Sequence, residues 1–201
     1  MSSIGRTTAR VGIDVDGVLG NFTDRWALYS HLMFGTPRNM SPTSWEYTDE
    51  QTREQFHATW AQLTATPNLW LTESPLPNTS RLVKLTHDLF NIVYFITDRA
   101  HTPGLPTVLQ TKIWLAYTFP GISQWENVIV TTGKSKGGTA ADLKLTHFID
   151  DRPKNCVEVQ AAVPDCHVYM CNATWNKTDP WPGEKRVKDF DEFADIVRRR
   201  K

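Results

Sequence analysis

The stretch VGIDVDGVLGNF, Val11–Phe22, carries an apolar run into one acid, Asp14, adds a second, Asp16, two residues later, and breaks the chain at Gly17. Val11 to Val15 reads as a buried strand, so both carboxylates fall at a strand end with no basic residue among them. Such a pair repels unless something positive arrives.

Four further runs share this apolar, strand-like character. They are NIVYFIT (Asn91–Thr97), NVIVTT (Asn127–Thr132), THFID (Thr146–Asp150) and CHVYM (Cys166–Met170). The first of these is continuous and β-branched or aromatic, as expected of a strand covered on both faces. Helical patterns fall at Thr107–Thr118, Gly137–Leu145, Lys154–Ala162 and Asp189–Arg199. Strands separated by helices imply parallel pairing and an α/β, Rossmann-like three-layer sandwich. Residues 21–77 break the rhythm. They are rich in Trp, Phe and helix formers, with punctuation at FGTPRNMSPTSW (Phe34–Trp45), and read as a mostly helical insertion after the first strand.

The chain has 201 residues, enough for one α/β core (residues 1–20 and 78–201) carrying that insertion (21–77). With 40% hydrophobic residues it can pack an interior, and its formal charge of zero gives no general grip on nucleic acid or membrane. No apolar run approaches the ~20 residues of a membrane helix. The cysteines, Cys156, Cys166 and Cys171, are odd in number and form no C-x-x-C pair, which suits a reducing, cytoplasmic location.

Parallel sheets place ligand sites at the carboxyl ends of their strands. At those ends this sequence sets Asp14 and Asp16, then Thr97 and Asp98, then Lys134 and Lys136 in TTGKSKGG, then Asp150 and Asp151 in FIDDRPKN. Carboxylates gathered so closely need a hard divalent cation, and Mg²⁺ takes one or two of them with a carbonyl and waters. A lysine beside them balances charge and binds a phosphoryl oxygen. This set suits phosphoryl transfer, in which positioning and charge neutralisation supply most of the catalysis.

DVDGV, a Thr after the second strand, a Lys ahead of the next helix and a terminal DD, in that order, resemble the four motifs of the haloacid dehalogenase (HAD) superfamily of phosphohydrolases. The resemblance implies Asp14 as nucleophile, forming an aspartyl-phosphate. Asp16 would protonate the leaving alkoxide and then activate water, with its backbone carbonyl a metal ligand. Thr97 would donate to phosphoryl oxygens, and Asp150 with Asp151 would hold Mg²⁺ alongside Asp14. Asp16 favours a phosphatase over a dehalogenase, because only expulsion of an alkoxide needs a proton donor there. Lys136 is preferred to Lys134 because it directly precedes the helix, whose free amides face the same anion.

The insertion resembles the C1 cap of that superfamily, which covers the cleft and contacts the leaving group. Phe22, Trp26, Phe56 and Trp60 lie in helical patterns and are expected to pack the cap, whereas Trp45 and Tyr47, in a less regular segment, are candidates for substrate contact. A finer resemblance is to the 5′(3′)-deoxyribonucleotidases and their bacterial and phage relatives, on DVDGVLGNF, SWEY, FIDDRPKNC and TWNKT. That family often has Ser where this chain has Asp98, which either adds charge beside the phosphate or turns away. Arg99 and Arg152 are candidates for phosphate or rim contacts, or for pairing with neighbouring acids. The expectation is a Mg²⁺-dependent phosphomonoesterase for a small ester, first a (deoxy)nucleoside 5′-monophosphate. A sugar phosphate, a nucleic-acid 3′-phosphate end and a non-catalytic binding module are the alternatives. Neither membrane nor stable nucleic-acid binding is expected. Whether the insertion closes over substrate or joins a homodimer is left open.

Overall fold

Asn91–Thr97, in which six β-branched or aromatic residues follow Asn91, form strand β2 of a six-stranded sheet. The other strands are β1 (Ala9–Ile13), β3 (Val128–Val130), β4 (His147–Asp150), β5 (His167–Cys171) and β6 (Arg186–Val187). In this computed structural model, which describes residues 8–45, 51–88, 91–182 and 185–199, every strand pairing is parallel and the order is β3-β2-β1-β4-β5-β6. The chain runs outward from β1 through β2 to β3, then returns to β4 on the other side of β1. The switch point of the topology therefore lies between β1 and β4, where open parallel sheets bind their ligands.

Helices cover both faces, as parallel strands require. On one face α3 (Leu82–His87), α4 (Thr107–Thr118) and α7 (Phe190–Arg199) bury Leu82, Leu85, Trp114, Leu115, Phe190, Phe193 and Val197 against Val11, Ile13, Val93 and Phe95. On the other, α5 (Lys136–Asp142) and α6 (Pro153–Ala162) bury Ala140, Cys156 and Val159 against Ile96, Phe148, Val168 and Met170. Adjacent strand residues divide between the faces, Phe148 to one and Ile149 to the other, as the pleat dictates. All three cysteines are buried free thiols. No helix among the described residues is long and apolar enough to cross a membrane.

Between β1 and α3 the chain builds α1 (Phe22–Phe34) and α2 (Arg53–Thr64), then a 3₁₀ turn at Leu69–Leu71. Local chemistry sets both helices. Asn21 caps α1 through its side chain and Gly35 ends it in the left-handed conformation, while Thr52 and Gln55 form a capping box on α2. Their apolar faces meet in a separate cluster of Phe22, Trp26, Ala27, Met40, Leu63, Leu69 and Trp70. Trp26 packs on Phe56 with ring centroids 4.7 Å apart, and Phe22 meets Trp60 edge-on at 6.1 Å. The outgoing and returning chains are laced together where the Leu76 N–H donates to Leu19 O at 2.7 Å and the Asn21 N–H to Ser74 O at 2.8 Å.

The first strand ends at Ile13, two residues before the sequence reading places its end, because the backbone turns sharply after Asp14. Outside the insertion, the elements that escape that reading are α3, of six residues, and β6, of two, besides a 3₁₀ turn at Thr174–Asn176. All are too short for a period to show.

Candidate active site

Ile13 pairs with Ile149 across β1 and β4, so Asp14 and Asp150 emerge side by side from the edge of the sheet. The Asp14 N–H continues the ladder to Ile149 O at 3.0 Å. The chain then tightens, with the N–H groups of Leu19 and Gly20 both donating to Val15 O at 2.8 Å. Gly17 makes the turn feasible: its φ is +83°, and a Cβ there would stand 2.4 Å from Asp151 Oδ2. The turn carries Asp16 back over the end of β2, where the Thr97 hydroxyl donates to its Oδ2 at 3.1 Å.

Lys136, the first residue of α5, is buried with its Nζ 2.8 Å from Asp14 Oδ1 and 2.7 Å from Asp150 Oδ2. Burial alone would lower its pKa, but the two carboxylates outweigh that and push the ammonium up. Lys134 is exposed on the preceding loop. Asp150 also accepts from the Asn155 Nδ2 at 3.0 and 3.1 Å and from the Arg152 N–H at 2.8 Å. Asp151 accepts from Trp175 Nε1 at 2.9 Å through Oδ2, and its backbone carbonyl accepts from Asn176 Nδ2 at 2.7 Å. Its Oδ1 is buried and has no hydrogen-bond partner among the described residues.

Asp14, Asp150 and Asp151 offer oxygens that all lie within 4.8 Å of one another. One ammonium does not neutralise this group. Burial and the neighbouring Asp150 raise Asp14 to about 7 against the opposing pull of Lys136, and burial with Asp150 and Asp14 lifts Asp151 well above the carboxylate range. A carboxylate trio of this kind, with one oxygen left without a hydrogen bond, fits a hard divalent cation.

Arg99 lies in the wall behind Asp16, not on the cleft surface where a substrate contact is expected. Its side chain is fully enclosed, with the guanidinium 4.8 Å from the Trp70 ring centroid and 5.3 Å from that of Trp114. Nε donates to both oxygens of Asp16 at 3.1 and 3.0 Å, Nη2 to Asp16 Oδ1 at 2.7 Å and to Glu73 Oε2, and Nη1 to the Thr111 hydroxyl at 3.2 Å. Burial raises both acids; the guanidinium outweighs it at Asp16, whose carboxyl stays low, while burial and Asp16 keep Glu73 well above its ordinary value.

Asp98 sits at the exposed rim of the cleft, accepting from the Gly133 N–H at 2.6 Å and the Thr131 hydroxyl at 3.4 Å. Trp45 lies over the Arg152 guanidinium at 4.4 Å and meets Trp175 edge-on at 5.6 Å. Tyr47 lies outside the described residues. The cleft among these groups, about 50 Å³, has Asp14, Asp16, Thr97, Asp98, Lys136, Arg152 and Asn155 on the sheet side and Phe22, Trp45, Trp60 and Trp70 on the other. Phe22 and Trp60 thus both pack the insertion and face the cleft. Sequence reasoning missed Trp70, Glu73, Asn155 and Trp175. Asn155 carried a usable signal, since the first turn of a helix after a strand-end acid faces back toward that acid.

Residues 8–201 match the family model described as 5′ nucleotidase, deoxy (pyrimidine), cytosolic type C protein. No curated protein matches. Among solved structures, a HAD-superfamily hydrolase of subfamily IA, variant 1, from Geobacter sulfurreducens is similar at TM-score 0.58 and 15% identity, over 98% of this chain and 100% of that one. The L-2-haloacid dehalogenase of Xanthobacter autotrophicus is similar at TM-score 0.58 and 13% identity, over 96% and 99%. CbbY of Rhodobacter sphaeroides, solved with phosphate, is similar at TM-score 0.53 and 10% identity, over 93% and 96%. At such identities these three speak for the fold alone. Fold and family model agree, and the chain belongs to the cytosolic type C 5′-nucleotidases, a family of phosphoric monoester hydrolases, with a fold similar to that of HAD-superfamily hydrolases.

Proposed function

We propose that this protein is a Mg²⁺-dependent phosphomonoesterase that hydrolyses (deoxy)nucleoside 5′-monophosphates through an aspartyl-phosphate at Asp14, with residues 21–77 serving as its cap. The observation that carries this reading is the Asp14 carboxylate, buried at the switch point 2.8 Å from Lys136 and beneath an aromatic wall. Asp14, Asp150, Asp151 and the backbone carbonyl of Asp16 would hold the metal, and the unpartnered Oδ1 of Asp151 supports that assignment. Bound Mg²⁺ supplies charge neutralisation for the phosphoryl oxygens.

In the first step an Asp14 oxygen attacks phosphorus and the ester P–O bond breaks; Asp16, a carboxylate on Arg99 in the resting site, takes up a proton when the phosphate's negative charge enters beside it and gives that proton to the departing oxygen, releasing the alcohol. In the second, water attacks the phosphoryl group while the Asp16 carboxylate takes its proton, and the bond from Asp14 to phosphorus breaks to free phosphate. Lys136 and the Thr97 hydroxyl balance the charge on the phosphoryl oxygens. Asp16 also sets this chain apart from a dehalogenase, which has no alkoxide to protonate.

The nucleoside preference rests on the family and on Phe22, Trp45, Trp60 and Trp70, whose rings can stack on a base. A cleft of about 50 Å³ is well below the several hundred of small-molecule sites, so the nucleoside enters as the cap lifts about the paired linkers near Gly20 and Pro75. The family description and the three buried thiols suit a cytoplasmic protein. The test is phosphate release from a panel of ribo- and deoxyribonucleoside monophosphates and sugar phosphates. Nucleotide hydrolysis abolished by EDTA and by Asp14→Asn is expected. Turnover that ignores EDTA would overturn the mechanism, and preference for a sugar phosphate would overturn the substrate class.

A further inference from the structure

The acid/base of this reading, Asp16, does not stand alone. Both its oxygens are held by the Nε and Nη2 of Arg99, and its Oδ2 also by Thr97. Arg99 in turn is locked on every side. Two indoles flank its guanidinium, Thr111 takes Nη1, and Glu73 shares Nη2. Glu73 comes from the chain returning from the insertion and is itself fastened to the core. Its backbone carbonyl accepts from Trp114 Nε1 at 2.8 Å, and its carboxyl lies so flat on Gly20 that a Cβ there would stand 2.5 Å from the Glu73 Cδ. A rigid, buried fork that sets Nε and Nη2 on one carboxylate, with its other contacts on Thr111 and Glu73, is more than packing requires. A lysine would neutralise charge there but could not fix the plane of the carboxylate.

We infer that Arg99 and Glu73 are positioning residues for Asp16: Arg99 fixes the Asp16 carboxyl in line with the leaving oxygen, and Glu73 fixes Arg99 from the cap linker. This rests on the phosphatase reading above. Neither residue touches substrate. Their effect is confined to the proton transfers that Asp16 performs, so it depends on how much the leaving group needs a proton. A nucleoside alkoxide needs one. p-Nitrophenolate, a stable anion, does not.

The test compares Arg99→Lys and Glu73→Gln with the wild type on a nucleoside monophosphate and on p-nitrophenyl phosphate, by steady-state and stopped-flow kinetics. A misplacement of about 1 Å lowers such a step about 10²-fold, so nucleotide kcat is expected to fall about 10²-fold in Arg99→Lys and about 10-fold in Glu73→Gln. On p-nitrophenyl phosphate both variants are expected to release one equivalent of nitrophenolate in a burst within about threefold of the wild-type rate, then to turn over slowly, because the second step still needs Asp16 as a base. Burst amplitude counts folded sites, so a partly unfolded sample does not imitate this split. Equal loss of the first step on both esters, no loss on either, or no burst in either variant overturns the inference. A wild type that hydrolyses neither the nucleotide nor p-nitrophenyl phosphate overturns the phosphatase reading and this inference together, whereas an active wild type with unsplit variants overturns this inference alone.

Discussion

Lys136 Nζ stands 2.8 Å from Asp14 Oδ1, and the same ammonium reaches Asp150 Oδ2 at 2.7 Å. One cation thus bridges the ends of β1 and β4 and offsets part of the charge that the buried acids bring together. Removing one partner of a buried ion pair lowers stability by about 3–5 kcal/mol. Lys136→Met is therefore expected to lower the unfolding free energy by about 3 kcal/mol in EDTA. Mg²⁺ should restore part of the loss, since the acids it neutralises are the same ones. Urea denaturation with and without the metal checks this, and an unchanged midpoint in EDTA would rule it out.

Asp151 is held in place by two features besides its own backbone: the indole N–H of Trp175 on Oδ2, and the empty side of Gly17 against its carboxyl. Groups that orient a metal ligand are worth about 10–100-fold in affinity. Gly17→Ala strains a left-handed backbone and pushes a methyl into Asp151; Trp175→Phe removes the donor while keeping the ring against Trp45. Both variants are expected to bind Mg²⁺ about 10-fold or more weakly by calorimetry, with Gly17→Ala the worse of the two. Wild-type affinity in Trp175→Phe would show that Asp151 needs no outside orientation.

Trp45 covers Arg152 at the mouth of the cleft and carries no group that the chemical steps use. Loss of one stacking ring weakens binding by about 1–3 kcal/mol. Trp45→Ala is expected to raise the nucleotide KM about 10-fold or more with kcat within about threefold, the pattern of binding shared by ground and transition states. A fall in kcat at constant KM would place Trp45 in the chemistry.

Much of the sheet and its edge was legible because the signal was local. Six strand-favouring residues in a row after Asn91 announce β2 with its correct ends, and an acid after each of β1 and β4 announces the sheet edge that carries the site. Lys136 was separable from Lys134 by its position at a helix start, and the structure buries the one and exposes the other. The last residues of the first strand were misplaced because Val15 is as apolar as Val11, and only the hydrogen bonds of the turn distinguish them. Arg99 could be read either as a rim contact or as a partner of acids; the structure gives it Asp16 and Glu73. Glu73 was invisible, because a lone acid in a linker becomes part of a site only when tertiary folding lays that linker across Gly20 and Trp114. Trp175 and Asn176 likewise meet Asp151 from a segment beyond β5 that no local pattern ties to it.

A nucleophilic Asp14 must carry phosphorus covalently during turnover. Acid quench of the enzyme mixed with substrate and Mg²⁺, followed by peptide mass spectrometry, looks for that bond itself. A transient phosphoryl group is expected on the peptide containing Asp14 in the wild type and none in Asp14→Asn, with turnover lost in step. Phosphoryl transfer to any other residue, or hydrolysis that persists in Asp14→Asn, would refute attack by Asp14.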